Sequence, residues 1–93
     1  MVFKGREITA GTNNKGDVMV TVEFPKKNGV EIEIVSKALD KYGKAIDSAV
    51  REVLMEQKIE NAHILVEDYG ALDFVIRARV ETALQRAVER SRA

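Results

Sequence analysis

The spacing of apolar residues changes abruptly near Ser36, and this change restricts the folds that the chain can adopt. Over residues 17–24 apolar side chains alternate with others, which predicts a half-buried β-strand. A break over residues 25–29 ends in an Asn-Gly step, which tolerates positive φ, and a second alternation follows over 30–34. We therefore predict that these two strands form an antiparallel hairpin with one apolar and one polar face.

After Ser36 the apolar residues recur at steps of three and four, which is typical of an amphipathic helix. Ser36 is a candidate N-cap, and we expect the helix to run to Gln57, with Gly43 as a point where it could divide. Residues 62–66 alternate again and predict a further strand. Residues 72–88 begin like a strand, but their helical stripe continues to the end of the segment, so we predict a helix there.

A weakly patterned strand at Ile8 to Ala10 completes the order βββαβα. We expect an α+β fold, a two-layer sandwich in which a mainly antiparallel sheet carries both helices on its apolar face. The other face is expected to be polar, with a few apolar residues among Thr21, Glu23, Glu31, Glu33, His63, Glu67, Met19 and Leu65. Ninety-three residues predict a single domain over 1–93 with a modest core.

The charge balance and the lack of cysteine exclude several classes of protein. Lys plus Arg and Asp plus Glu are 15 each, so we expect neither a nucleic-acid binder nor a polybasic membrane-surface protein. Without cysteine there is no disulfide framework, no thiolate metal site and no cysteine nucleophile, which fits a cytoplasmic protein. No apolar run approaches the roughly 18 residues of a membrane span, and we expect no signal peptide at the amino terminus.

The sequence offers little catalytic machinery. His63, the one histidine, falls on the polar side of a predicted strand, where a solvent-facing residue is the simpler interpretation than a catalytic one. One histidine and scattered carboxylates lack ligand spacing, so we expect no metal site. Glu31 and Glu33 could share a proton in acid–base chemistry, but they belong to a regular alternation that fits a solvated face.

Two further motifs have only partial matches to known sites. Residues 13–16, Asn-Asn-Lys-Gly, have one glycine and no following helix, so an ordinary connecting loop explains them better than a phosphate loop. Asp47-Ser48 matches two residues of the attachment motif in phosphopantetheine acyl carriers, but it lies inside an amphipathic helix. Neither match predicts a site.

Two arginines in the last helix have two possible roles. Arg77 and Arg79 diverge by about 200° around a helix, so they cannot form one bidentate clamp. Either Arg77 pairs with Asp73 or Glu81 while Arg79 is solvated, or one of the two arginines contacts a partner protein or a phosphate.

Two segments carry an order that composition alone would not predict. Residues 70–73 read Gly-Ala-Leu-Asp and residues 76–81 read Ile-Arg-Ala-Arg-Val-Glu. Near the front, residues 10–12 read Ala-Gly-Thr and residues 16–19 read Gly-Asp-Val-Met. These segments resemble the carboxy-terminal and amino-terminal signatures of the citrate lyase acyl carrier protein, the gamma subunit. The resemblance extends over nearly the whole chain.

The resemblance implies a non-catalytic carrier subunit. In that family a covalent phosphoribosyl-dephospho-coenzyme A arm, similar to phosphopantetheine, is linked through a phosphodiester to a serine. It carries acetyl and citryl groups in citrate fermentation between an alpha (transferase) and a beta (lyase) subunit. An arm-transferring enzyme is the third implied partner. No nucleic-acid or membrane partner is implied.

The resemblance also assigns a candidate site. It comprises Thr12, Lys15, Gly16 and Asp17, and the family's attachment serine falls on Lys15. An amine cannot form the phosphate ester that a hydroxyl forms. An alternative is therefore an unmodified scaffold or regulatory module that binds citrate-lyase-type partners. A small hydrolase is a third possibility.

Overall fold

The computed structural model describes residues 3–92. Met1 and Val2, which belong to the segment predicted to lack a signal peptide, lie outside the described residues. The chain forms four strands and two helices, in the order β1 (Ile8–Gly11), β2 (Val18–Glu23), β3 (Gly29–Ser36), α1 (Leu39–Glu56), β4 (Asn61–Asp68) and α2 (Asp73–Arg92). The predicted order βββαβα and the α+β class are confirmed.

The strands form one sheet in the order β1-β2-β4-β3. Strand β2 pairs antiparallel with β1 and β4, whereas β3 pairs parallel with β4. The predicted hairpin between residues 17–24 and 30–34 is therefore wrong, since β4 lies between these two strands. The hairpin is instead formed by β1 and β2.

The physical reason for this order is the burial of β4. Ala62, Ile64 and Val66 are fully buried, so the strand that carries them is best placed in the centre of the sheet. Helix α1 supplies the crossover that parallel β3 and β4 require. Strand β3, with its alternation of half-buried and exposed residues, then takes the edge.

Both helices pack on the same face of the sheet, which confirms the two-layer arrangement. The core is formed by apolar residues from the sheet and both helices, including Val18, Val20, Val22, Ile64, Val66, Ile46, Val50, Val53, Ile76, Val80 and Leu84. Full burial of each such side chain contributes about 1.5–3 kcal/mol. Neither helix within residues 3–92 is long and apolar enough to cross a membrane.

The helix boundaries differ from the prediction at the start of α1 and at the end of α2, which runs to Arg92. The first helix runs unbroken through Gly43, and α2 is a single helix rather than a strand. The N-cap of α1 is Ala38, so the prediction of Ser36 as N-cap is wrong. Ser36 ends β3, and its hydroxyl accepts a hydrogen bond from Ala38 N and donates one to Asp68.

The sheet face away from the helices is less exposed than expected. Thr21 is only 8% exposed, and Glu23 is only 6% exposed. The Glu23 carboxylate accepts hydrogen bonds from the backbone N–H groups of Lys4 and Arg6. The segment before β1 thus covers one end of this face.

Candidate functional site

The loop between β1 and β2 is organised around the carboxylate of Asp17. Its Oδ2 accepts a hydrogen bond from the Thr12 hydroxyl at 2.7 Å, and its Oδ1 accepts one from Val18 N at 2.8 Å. From α2, Arg79 donates to both oxygens, through Nε at 3.1 Å and Nη2 at 3.0 Å. This bidentate, charge-assisted pair fixes the loop to the helix.

The same contacts set the charge state of Asp17. The Thr12 hydroxyl, the Arg79 guanidinium and the Val18 N–H together hold the pKa of the Asp17 carboxyl well below its usual range. The carboxylate is only 14% exposed, whereas Arg79 is 40% exposed. Asp17 is therefore a structural anion, because its oxygens are already engaged within the chain.

Backbone hydrogen bonds tie the loop to the end of β4. Gly16 N donates to Tyr69 O at 2.7 Å, and Tyr69 N donates to Asp17 O at 3.0 Å. Within the loop, Asp17 N donates to Asn14 O at 3.0 Å, and Asn14 N donates to the Thr12 hydroxyl at 3.2 Å. The loop is exposed over residues 12–16 but held at both of its ends.

Gly11 is required where the loop begins. Its φ is +95°, and a Cβ built there would lie 1.9 Å from the carbonyl oxygen of Val18. A side chain at this position would force β1 and β2 apart. The close approach of the Val18 carbonyl oxygen explains why position 11 is a glycine.

Lys15 lies in this anchored loop and faces a cleft. The cleft measures about 980 Å³ and is bordered by Lys15 together with Ser36, Tyr42, Tyr69 and Leu72, among others. It opens where the parallel strands β3 and β4 end and both helices begin. In open α/β sheets ligands bind outside the carboxyl ends of the parallel strands.

Asp68 shapes the floor of the cleft. Its Oδ1 accepts hydrogen bonds from Gly70 N at 3.0 Å and Ala71 N at 2.9 Å, and its Oδ2 accepts one from the Ser36 hydroxyl at 2.9 Å. These bonds hold the turn from β4 into α2 against the end of β3. Asp68 thus supports the shape of the cleft.

The structure brings the four candidate residues Thr12, Lys15, Gly16 and Asp17 into one loop. It adds Arg79, which is neither solvated nor left for a partner as predicted but pairs with Asp17. Residues 17 and 79 are 62 positions apart, so no local pattern joins them. The sequence offered one indication of this pair: Asp17 lies in the amino-terminal signature segment and Arg79 lies in the carboxy-terminal one.

The other arginine behaves as one of its two interpretations predicted. Arg77 Nε lies 2.6 Å from Asp73 Oδ2, and its Nη1 lies 2.6 Å from Glu52 Oε2 on α1. The contact with α1 was not predicted. Arg77 therefore links the two helices rather than facing the loop.

His63 and Ser48 do not line the cleft. His63 is half-buried, with Nε2 at 3.8 Å from Glu31 Oε2, and its Nδ1 has no hydrogen-bond partner among residues 3–92. Ser48 is exposed in the middle of α1, and the loop after Gly16 leads into a strand rather than a helix. Within the described part of the chain no three His, Asp or Glu residues could hold a metal ion.

Comparison with known proteins gives one consistent family. The family model named ACP, described as malonate decarboxylase delta subunit (MdcD), matches residues 5–87. The citrate lyase acyl carrier protein of Treponema denticola is 42% identical over 85 residues, which cover 91% of this chain and 95% of that protein. The citrate lyase acyl carrier protein of Escherichia fergusonii is 37% identical over 86 residues, which cover 92% and 89%.

Solved structures share the fold. A chain of a Pseudomonas malonate decarboxylase hetero-tetramer in complex with malonate superposes with a TM-score of 0.61 at 20% identity, covering 87% of this chain and 82% of that chain. Homoserine kinase from Cytophaga hutchinsonii superposes with a TM-score of 0.65 at 12% identity, covering 95% of this chain and 38% of the kinase chain. At these identities the likeness is one of fold alone.

Proposed function

The chain belongs to the family of citrate lyase acyl carrier proteins, and on that premise we propose that it is the carrier-type subunit of a citrate-lyase-type assembly. Residues 1–93 form one domain that acts as a mount rather than a catalyst. Its partners are an alpha (transferase) type subunit, a beta (lyase) type subunit and an arm-transferring enzyme. The cytoplasm is its proposed location.

The observation that carries this proposal is the geometry of the loop. Lys15 is exposed, yet its loop is pinned through Thr12, Asp17 and Arg79 to both neighbouring strands and to α2. A tethered group visits each active site at a high effective concentration, provided that its attachment point is accessible and well positioned. The loop meets both conditions at position 15.

The residue at position 15 does not fit the group that the family implies. A phosphoribosyl-dephospho-coenzyme A arm would supply a thiol for acyl transfer, but its phosphodiester needs a hydroxyl, and Lys15 offers an amine. The nearby Thr12 hydroxyl is already occupied, because it donates to Asp17 and accepts from Asn14 N. The loop thus offers an exposed and fixed attachment position, but the residue at position 15 lacks the hydroxyl oxygen that a phosphate ester needs.

The amine of Lys15 favours a second candidate function. An unmodified chain would keep the fold and the docking surfaces, and it would act as a scaffold or regulatory module for the same partners. Both candidates predict binding to alpha and beta type subunits. They differ in whether the chain carries a covalent arm.

Intact mass after co-expression with an arm-transferring enzyme separates the two functions. A mass gain on the unaltered chain, mapped to one residue by peptide analysis, supports the carrier. A mass gain found only in the Lys15→Ser variant supports the scaffold function for the unaltered chain. If neither chain gains mass while an authentic citrate lyase acyl carrier protein does, position 15 is not an attachment point and the mount is refuted.

A further inference from the structure

Ser36 places a hydroxyl in the cleft that position 15 borders. It ends β3 and lies opposite Asp68 at the end of β4. Ser36, Asp68 and Lys15 all line the cleft. The Ser36 hydroxyl donates to Asp68 Oδ2 at 2.9 Å and accepts a hydrogen bond from Ala38 N at 3.1 Å. A hydroxyl that donates to a carboxylate has the arrangement of a nucleophile with its base.

The carboxylate beside Ser36 differs from the one beside Thr12. The Thr12 hydroxyl and the Arg79 guanidinium hold the pKa of Asp17 well below its usual range, so Asp17 is a weak base. No Lys, Arg or His side chain forms an ion pair with Asp68 within residues 3–92. Its Oδ2 accepts the Ser36 hydroxyl, while its Oδ1 accepts two backbone N–H groups. Asp68 is therefore better suited than Asp17 to take a proton from its neighbouring hydroxyl.

The backbone that follows Ser36 leads into a helix end without a side-chain cap. The N-cap of α1 is Ala38, and within the described residues no side-chain hydrogen bond caps this end. The first N–H groups of a helix carry a partial positive charge and bind phosphate oxygens. A phosphate ester on Ser36 would precede this N-cap by 2 residues, where added negative charge stabilises a helix.

The cleft carries charges of both signs, and its carboxylates have partners within the chain. Its charged residues are Lys15, Lys37, Glu67, Asp68 and Asp73. Asp73 pairs with Arg77, and Glu67 accepts a hydrogen bond from the Tyr69 hydroxyl at 3.4 Å. Within residues 3–92 neither lysine forms an ion pair. A phosphate group in the cleft therefore meets two ammonium groups that no carboxylate has already paired.

We propose that Ser36 is the hydroxyl through which this chain takes its phosphate-linked arm, with Asp68 as the base. The donor is a phosphoanhydride that bears the arm. Ser36 Oγ attacks the arm-bearing phosphorus, and the bond from that phosphorus to the anhydride oxygen breaks. The rest of the anhydride leaves with the electron pair of that bond, and the hydroxyl proton passes to Asp68. This inference rests on the proposed function, because only a carrier needs an arm.

Arm transfer with purified components tests Ser36 as the acceptor. The chain is incubated with an arm-transferring enzyme and its phosphoanhydride donor, and the product is analysed by intact mass and peptide mapping. We expect a mass gain on the peptide that contains Ser36. Ser36→Ala should abolish the gain, and Ser36→Thr, which keeps a hydroxyl, should retain it. Ser48→Ala is the matched control and should retain the full gain, since Ser48 is exposed in α1 and does not line the cleft.

Asp68→Asn tests the base separately from the acceptor. Asparagine keeps a carbonyl oxygen for the N–H groups of the turn, but it does not take a proton. We expect the kcat of arm transfer to fall about 100-fold or more, with the KM for the donor nearly unchanged. Circular dichroism establishes that each variant is folded. An unchanged kcat in a folded Asp68→Asn variant would overturn the role of Asp68.

The outcomes separate this inference from the proposed function. A mass gain on the unaltered chain that maps to a residue other than Ser36, or that persists in Ser36→Ala, overturns the inference and leaves the carrier standing. A gain found only in Lys15→Ser, at residue 15, also overturns it and leaves the scaffold. If an authentic citrate lyase acyl carrier protein is loaded while neither the unaltered chain nor Lys15→Ser gains mass, both are refuted.

Discussion

Replacing Gly11 by alanine should release the loop that presents Lys15. The new Cβ would lie 1.9 Å from the Val18 carbonyl oxygen, at a φ of +95°. An L-residue at positive φ costs roughly 1–2 kcal/mol. Relieving the contact moves β1 away from β2 and weakens the Gly11–Met19 end of their ladder, at about 1 kcal/mol for each hydrogen bond lost. We expect Gly11→Ala to lower the free energy of unfolding by about 2–4 kcal/mol in total.

Gly16→Ala is the matched control for this variant. Gly16 also has a positive φ, +87°, but its added Cβ would meet no atom within 4 Å. It should therefore lower the free energy of unfolding by the conformational cost alone, roughly 1–2 kcal/mol. Urea unfolding followed by circular dichroism measures both values. Equal losses in the two variants would refute the argument that Gly11 is required by the close approach of β1 and β2.

Three further changes test the site and its support. Because the pKa of Asp17 is lowered in the folded chain, its contribution to stability is present above the ordinary pKa of 3.8 and is lost as the pH falls from there through the lowered pKa of the folded state. Acid unfolding of Asp17→Asn, compared with that of the unaltered chain, should lack this dependence, and identical pH profiles would contradict it. Ser36→Ala should lower the free energy of unfolding in urea by about 1 kcal/mol, through loss of the bonds to Asp68 and Ala38. A loss near zero would show that those bonds are replaced by water. Leu84→Ala, in the fully buried core, should cost about 2–5 kcal/mol by the same measurement, and a cost below 1 kcal/mol would contradict the close packing of α2 on the sheet.

Local periodicity was sufficient to predict the elements of the fold. The alternation over β2, β3 and β4 and the stripes of α1 and α2 gave the order of elements and the layer arrangement. Membership in the acyl carrier family confirms the expectation of a carrier subunit rather than an enzyme. These features depend on spacing within one segment or on signature residues, and both can be read from the chain.

Strand pairing could not be predicted in the same way. An Asn-Gly step between two alternating segments favours a hairpin, but the burial of Ile64 and Val66 draws β4 between them. The competition involves residues that are far apart in sequence, and periodicity does not report it. Ser36 failed as a predicted cap for the same reason, since its hydroxyl bonds to Asp68 across the sheet.

The sequence places the candidate residues in one loop but does not indicate what supports that loop, and their role in holding a cofactor stays a prediction. Thr12, Gly16 and Asp17 lie together as expected, whereas the link from Asp17 to Arg79 depends on how α2 packs against β2. The role of position 15 as an attachment point stays a prediction. Its chemistry depends on a single side chain, and the fold around it accommodates either a serine or a lysine at an exposed loop position.

Reconstitution of citrate cleavage tests the central claim most directly. Citrate lyase alpha and beta type subunits without a carrier would be supplied with arm-loaded Lys15→Ser, with the unaltered chain, or with neither. We predict that the loaded Lys15→Ser chain, mixed with the two subunits, restores conversion of citrate to acetate and oxaloacetate. We also predict that the unaltered chain, purified without the subunits, converts no citrate. Failure of the loaded variant to restore activity, or turnover by the purified unaltered chain alone, would contradict the account of this protein as a mount for chemistry performed by its partners.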